Sequence, residues 1–188
     1  ARFRKGALNN AKAKDFYENV IDFAKINTYS RGELNGVKKG HRRNITNNKG
    51  VKNYKKGNYK IAIEFLNGER INKKKFKHYF YLGHSYSMIG DNKNAIKMYE
   101  LALSTKFKKS IIYFELGLSY FLLDENEKAL QNLNLALKND PNNPSYLINR
   151  GTIKYDLGLK KSACSDWNKA ISLDNNSIDK DLILINCN

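Results

Sequence analysis

A repeat with a step of 34 residues constrains this sequence more than any other feature. Gly83, Gly117 and Gly151 are 34 residues apart, and small and large apolar residues recur at the same step. These further columns are Ala95, Ala129 and Ala163; Ala102, Ala136 and Ala170; and Tyr99, Leu133 and Trp167. A fixed period of this length is typical of solenoids, in which one supersecondary unit stacks on the next and a continuous core forms between them.

The pattern within each unit predicts two helices joined by a short turn. In the middle unit we expect helices over residues 113–123 and 127–138, with turn residues between them. Two antiparallel helices approach closely only where their side chains are small. We therefore expect Gly117 to meet Ala129 at a close crossing, where a larger side chain would overpack the joint.

Three units share a set of motif residues. They are Tyr79, Leu82, Gly83, Tyr86, Ala95, Tyr99 and Ala102; then Tyr113, Leu116, Gly117, Tyr120, Ala129, Leu133, Ala136 and Pro141; then Leu147, Gly151, Ala163, Trp167 and Ala170. The pattern resembles the tetratricopeptide-repeat (TPR) family. The resemblance implies an all-α fold, a right-handed solenoid of helical hairpins (the TPR superhelix). It places complete repeats at 76–109, 110–143 and 144–177.

The sequence outside these repeats predicts three further segments. Residues 43–75 are expected to form a degenerate repeat, because Gly50, Gly57, Ala62 and Leu66 fall 33 residues before their counterparts. Residues 1–42 are expected to form a basic helix and linker. Residues 178–188 are expected to form a short helix that caps the end of the solenoid.

The resemblance also implies a binding surface on the concave face, which the first helices of TPR units line. By register, its residues are Lys77, Phe80, Tyr81, His84 and Met88; Ile111, Phe114, Glu115, Leu118, Phe121 and Leu122; and Ile148, Asn149, Thr152, Tyr155 and Asp156. Phe80, Phe114 and Phe121 are the expected anchors. The alternative is that another segment of the same chain, such as a helix over 15–26, fills this groove.

Some TPR domains hold the carboxylate tail of a chaperone with a clamp of Lys, Asn and Arg side chains. This sequence has Phe80 and His84, then Ile111 and Glu115, in the columns that the clamp requires. Binding of a chaperone tail is therefore disfavoured.

Charge is unevenly distributed along the chain. Residues 1–75 hold 20 Lys and Arg against 6 Asp and Glu, a net of +14, whereas residues 76–188 hold 14 against 12, a net of +2. The predicted basic patch comprises Lys38, Lys39, Arg42, Arg43, Lys49, Lys52 and Lys56. Such a patch favours RNA, an acidic protein or an anionic membrane surface as a partner, and the interleaved Tyr54 and Tyr59 could stack on bases. A composition rich in Lys and Asn throughout is the alternative explanation.

No catalytic, cofactor or metal site is expected. His78 and His84 are six residues apart, so they lie on different faces of a helix and cannot both bind one metal ion. No phosphate-binding loop is present. Cys164 and Cys187 form no CxxC pair and are expected to be reduced thiols, which fits a reducing compartment such as the cytoplasm. The bacterial envelope remains an alternative if a signal sequence has been removed, and no run of 18 apolar residues predicts a membrane span.

The sequence therefore favours a non-enzymatic adaptor or scaffold that binds a partner protein or peptide in its concave groove. The alternative is a subunit of a larger complex, anchored through its basic N-terminal region to RNA, an acidic protein or an anionic membrane.

Overall fold

The computed structural model describes residues 49–68, 76–104, 109–174 and Cys187. Within these ranges the chain forms eight α-helices and no strand. The helices are α1 (Lys49–Lys55), α2 (Tyr59–Asn67), α3 (Phe76–Met88), α4 (Asn92–Leu103), α5 (Lys109–Leu122), α6 (Asn126–Asn139), α7 (Pro144–Asp156) and α8 (Lys160–Leu173). The predicted all-α fold of helical hairpins is confirmed.

The described residues belong to two compact units. The first unit ends at Asn139 and contains α1 to α6, and the second begins at Asp140 and contains α7 and α8. In the first unit α1 packs on α2, α3 on α4 and α5 on α6, and each of these hairpins also packs on the next. In the second unit α7 packs on α8.

Each hairpin turns on a residue with a left-handed backbone. Gly57, Gly90 and Gly158 have φ of 78°, 83° and 78°, and Asp124 holds the same place in its hairpin with φ of 67°. The backbone N–H of Gly90 donates to the carbonyl of Ser87 at 3.0 Å, and that of Asp124 donates to the carbonyl of Phe121 at 3.0 Å. Glycine suits this conformation because it lacks the Cβ that crowds the backbone.

The glycines of the 34-residue column lie at close helix crossings, as the sequence predicts. A Cβ on Gly117 would lie 2.8 Å from Cγ of Leu133 and 3.2 Å from the carbonyl oxygen of Ala129. A Cβ on Gly83 would lie 2.8 Å from the ring of Tyr99. These crossings leave no room for a side chain. Glycine therefore recurs every 34 residues because a close helix crossing recurs at the same step.

The ends of the helices differ from the sequence prediction by a few residues. The helix expected from residue 113 begins at Lys109, because Ile111 and Ile112 are buried and extend its apolar face. The first hairpin, α1–α2, lies within the predicted degenerate repeat. The predicted N-terminal helix and linker lie outside the described residues, and so does the predicted capping helix apart from Cys187.

Candidate partner-binding surface

Helix α3 carries the first group of predicted groove residues, and their exposure differs along the helix. Phe80, Tyr81 and His84 are buried, whereas Lys77 is partly exposed. Met88, the last residue of α3, is 36% exposed. Only the end of this helix therefore presents an apolar side chain to solvent.

Helix α5 repeats this arrangement. Ile111, Phe114, Glu115 and Leu118 are buried, Phe121 is partly exposed, and Leu122 at the end of the helix is 44% exposed. Met88 and Leu122 hold the same position, because each precedes the left-handed residue of its turn by two. Contact between α3 and α5 brings the two helices side by side in the first unit.

The expected aromatic anchors Phe80 and Phe114 are fully buried. The Phe80 ring lies 5.5 Å from the ring of Phe76 and 6.1 Å from that of Tyr99, measured between centroids. Truncating a buried Phe typically costs about 3–5 kcal/mol of stability. Phe80 and Phe114 thus stabilise the hairpins, and substitutions there would unfold the surface rather than test it.

The predicted groove residues of α7 belong to the second unit. Ile148, Asn149 and Thr152 are buried, and Tyr155 and Asp156 are partly exposed. The Asn149 side-chain amide donates to the Ser145 carbonyl at 2.8 Å, and the Thr152 hydroxyl donates to the Ile148 carbonyl at 3.0 Å. These polar groups are satisfied within α7 itself.

The sequence placed Glu115 on the binding surface, but the structure buries its carboxylate in the first unit. Glu115 is 1% exposed, and the Tyr99 hydroxyl donates to its Oε2 at 3.1 Å. Burial of Tyr99, and then the charge of Glu115, raise the pKa of Tyr99 well above its ordinary value. Tyr99 therefore stays protonated and keeps donating to Glu115. The one sequence feature that could have indicated this burial is that Glu115 is a single carboxylate within the apolar sequence of α5.

Tyr54 has an internal role rather than the predicted one of stacking on bases. Its ring lies 4.6 Å from the ring of Tyr81 and 5.4 Å from that of His84, measured between centroids. Burial, followed by the charge of Glu115, raises the pKa of the Tyr54 hydroxyl. These contacts join the first hairpin to α3, and they occupy the Tyr54 ring.

The predicted basic patch is described only in part. Lys38, Lys39, Arg42 and Arg43 lie outside the described residues. Lys49 and Lys52 are exposed on α1, and Lys56 is exposed one residue beyond its end. The ammonium of Lys49 lies 5.7 Å from the centroid of the Phe65 ring, within range of a cation–π contact.

A buried ionic cluster in the second unit was missed by the sequence analysis. Arg150 donates to both carboxylate oxygens of Asp166, at 2.8 and 2.6 Å, and Lys154 donates to the same carboxylate at 2.8 Å. The Asp166 side chain is 7% exposed. Arg150 and Lys154 are four residues apart on α7, so they share the face that meets α8. That spacing was visible in the sequence, but the position of Asp166 across the hairpin was not.

The prediction that both cysteines are reduced thiols is wrong. Cys164 and Cys187 form a disulfide, with Cα atoms 5.7 Å apart. A separation of 23 residues did not reveal the pairing, because only the folded chain brings the two side chains within bonding distance. The disulfide removes the argument that favoured a reducing compartment.

No described helix is both long and apolar enough to cross a membrane. In the same part of the chain, no three His, Cys, Asp or Glu side chains are grouped so that they could hold a metal ion.

Comparisons with known proteins agree with the geometry. The tetratricopeptide-repeat family model matches residues 79–109 and 111–143. No curated protein sequence matches the chain significantly. Among solved structures, MamA (residues 41 to the end) from Desulfovibrio magneticus RS-1 is similar, with 20% identity and a TM-score of 0.63 over 69% of this chain and 74% of that one.

Two further structures share the fold. The Cut9–Hcn1 hetero-tetramer of the APC/C aligns with 18% identity and a TM-score of 0.65, over 73% of this chain and 28% of that one. The first TPR domain of Spaghetti (RPAP3), bound to the HSP90 peptide SRMEEVD, aligns with 20% identity and a TM-score of 0.52, over 58% of this chain and 86% of that one. The two matches lie on the hairpins α3–α4 and α5–α6, so this part of the chain carries two tetratricopeptide repeats.

Proposed function

We propose that this protein is a non-enzymatic scaffold, and that it binds a partner protein or peptide at the exposed ends of α3 and α5. The observation that carries the proposal is the pair Met88 and Leu122. Both are large apolar side chains, they are 36% and 44% exposed, and they hold one repeat position on adjacent helices. Exposed apolar residues that recur on helices in contact with each other are typical of an interaction surface. Leu101 and Leu135 are also exposed and 34 residues apart, but their helices α4 and α6 do not pack on each other as α3 and α5 do.

The family and the fold support a binding role. Repeats of this kind stack into surfaces along which a partner can lie. A solved TPR domain of the same fold is bound to an HSP90 peptide. The partner of this chain is expected to be a different one, because Phe80, His84, Ile111 and Glu115 stand where the clamp for a chaperone tail requires Lys, Asn and Arg, and all four are buried.

Photo-crosslinking in the cells that produce the protein tests the proposal. A benzoylphenylalanine placed at position 122, and in a second variant at position 88, should form a covalent adduct with another protein. The matched controls carry the same residue at Leu101 of α4 or Leu135 of α6, which are 43% and 39% exposed.

The proposal predicts adducts from positions 88 and 122 and none from positions 101 and 135. Equal adducts from all four positions would indicate collisional labelling, and would contradict a specific surface at the ends of α3 and α5. So would the absence of any protein adduct at positions 88 and 122.

A further inference from the structure

We infer, building on the proposed function, that the partner is an extended peptide segment with an acidic residue followed or preceded by two apolar residues. The acidic residue would contact α1 and the apolar residues α3 and α5. The inference rests on an end row of three residues, Lys55, Met88 and Leu122, each two positions before the left-handed residue of its turn.

The end row lies on three helices that are neighbours in the first unit. Helix α1 contacts α3, and α3 contacts α5. The hydrogen bond from the Asn67 side chain to the Tyr86 hydroxyl, at 3.0 Å, has an equivalent one hairpin later between the Tyr120 hydroxyl and Glu100, at 3.5 Å. The hairpins therefore stack with one repeated relation, and the end row follows that repeat.

The end row changes from charged to apolar along the stack. At the first hairpin Lys55, Lys56 and Lys60 are all exposed, and Glu64 is the one acidic residue of α1 and α2. At the second and third hairpins, Met88 and Leu122 take the place of Lys55. A ligand that complements this surface has an acidic end and an apolar end.

The far end of the row disfavours an acidic ligand. Asp124 and Glu125 form the turn after Leu122, and Glu125 pairs with Lys128. A second acidic residue of the ligand placed there would meet like charge. The exposed lysines of the first hairpin thus favour the acidic end of the peptide at α1.

The spacing of the helices sets the spacing of the peptide residues. Packed helices lie about 8–10 Å apart, and an extended chain advances about 3.3 Å per residue. One step along the end row therefore corresponds to about three residues of peptide. We expect an acidic residue, with apolar residues about three and six positions from it.

A nucleic acid fits this surface less well than a peptide. Its phosphates would repeat along the whole row, past Met88 and Leu122 to Asp124 and Glu125. The ring of Tyr54, the aromatic residue beside Lys55, is occupied by Tyr81. The end row therefore offers no continuous set of cations for the phosphates, and the Tyr54 ring is not available to stack on a base.

The test uses the full chain and a library of random peptides displayed on phage. Selected peptides should share the acidic–apolar spacing given above. In a titration by fluorescence polarisation, the variant Lys55→Glu, Lys56→Glu, Lys60→Glu should weaken binding of the selected peptide by about tenfold or more. The control variant Lys93→Glu, Lys97→Glu, Lys138→Glu makes the same change of charge at exposed second-helix positions, and should bind like the wild type.

A second pair of variants separates this inference from the proposed function. Met88→Asn, Leu122→Asn should abolish binding, whereas Leu101→Asn, Leu135→Asn should leave it unchanged. Selected peptides that depend on Met88 and Leu122 but ignore the three lysines would overturn the acidic motif and leave the proposed function standing. If peptide binding depends neither on the three lysines nor on Met88 and Leu122, or if the library yields no binder, both this inference and the proposed function are overturned.

The same proteins are titrated with a single-stranded RNA oligonucleotide. The inference would be overturned if the variant of Lys55, Lys56 and Lys60 lost tight RNA binding but kept peptide binding. That result would assign the lysines to nucleic acid.

Discussion

The hairpins α5–α6 and α7–α8 are built on the same repeat and are held together by different chemistry. Both have a glycine at the helix crossing, where an added Cβ would lie 2.8 Å from Leu133 in one and 2.6 Å from Trp167 in the other. The nearest side chain at the first crossing is apolar. In the second, the Trp167 indole donates to the Ile148 carbonyl at 3.2 Å, Asp166 binds Arg150 and Lys154, and Cys164 is joined to Cys187.

The difference shows what the repeat specifies and what it leaves open. The step of 34 residues determines where the helices cross and how small the crossing residues must be. It does not determine how the rest of the hairpin is stabilised. Hairpin α7–α8 has ionic and hydrogen-bonded links between its two helices, and a disulfide joins α8 to Cys187.

The largest effect is expected from Asp166→Asn. The change leaves Arg150 and Lys154, whose side chains are 20% and 16% exposed, without their shared carboxylate. Breaking a buried ionic cluster typically costs about 3–5 kcal/mol. Trp167, the single tryptophan of the chain, is buried beside Asp166, so its fluorescence reports unfolding of this unit by urea.

An exposed pair provides the comparison for that variant. Lys128→Ala removes the partner of Glu125 at the surface, where ion pairs contribute little, and should leave the unfolding midpoint unchanged. A similar midpoint for Asp166→Asn and the wild type would mean that the cluster does not stabilise α7–α8.

Gly117→Leu should destabilise the first unit by about 3 kcal/mol, the upper part of the range for overpacking. The cause is the crossing of α5 with α6, where even a Cβ would contact Leu133. Gly90→Leu is the contrasting change, because nothing lies within 4 Å of a Cβ there and only the backbone conformation is strained. Urea unfolding followed by far-UV circular dichroism should rank Gly117→Leu below Gly90→Leu; the reverse order would show that the crossing is not tight.

Loss of the disulfide should cost about 3 kcal/mol. Cys164 and Cys187 close a loop of 23 residues, and a cross-link of that length restricts the unfolded chain by about this amount. Cys164→Ser, Cys187→Ser should therefore unfold at lower urea concentration when Trp167 fluorescence is followed. Because the double variant has no disulfide, added reductant should lower the urea midpoint of the wild type and leave that of the variant unchanged. If reductant does not change the midpoint of the wild type, the disulfide does not form.

The smallest effect is expected from Asp124→Gly. Asp124 is the one described turn residue with positive φ that is not glycine. Glycine adopts this conformation without the cost of a Cβ, so the change should stabilise the first unit by about 0.5–1 kcal/mol. A drop in the thermal midpoint would show instead that the Asp124 side chain contributes more than its backbone strain costs.

Much of the fold was predictable because repetition makes the packing columns visible. Gly83, Gly117 and Gly151 stand out only because they recur, and the structure shows the physical reason for each. The disulfide and the Asp166 cluster occur once, so no period marks them. Their residues lie 16 or more positions apart along the chain, except Lys154, and sequence spacing does not reveal such contacts.

The candidate surface was predictable by position but not by exposure. Register alone placed Phe80, Phe114, Met88 and Leu122 on one face. It could not tell which of them the folded chain buries, because burial depends on contacts with other elements. The large aromatic residues that sequence reasoning favours as anchors are the ones that the core retains.

Binding at the ends of α3 and α5 is tested most directly by NMR of the methyl groups on that surface. Met88, Leu122, Leu101 and Leu135 are labelled at their methyl carbons, and spectra are recorded while the library-selected peptide is added to the full chain. If the partner binds at the ends of α3 and α5, the methyl resonances of Met88 and Leu122 shift and saturate with the peptide, while those of Leu101 and Leu135 stay in place. Shifts at Leu101 and Leu135, with Met88 and Leu122 unchanged, would contradict a partner surface at the ends of α3 and α5.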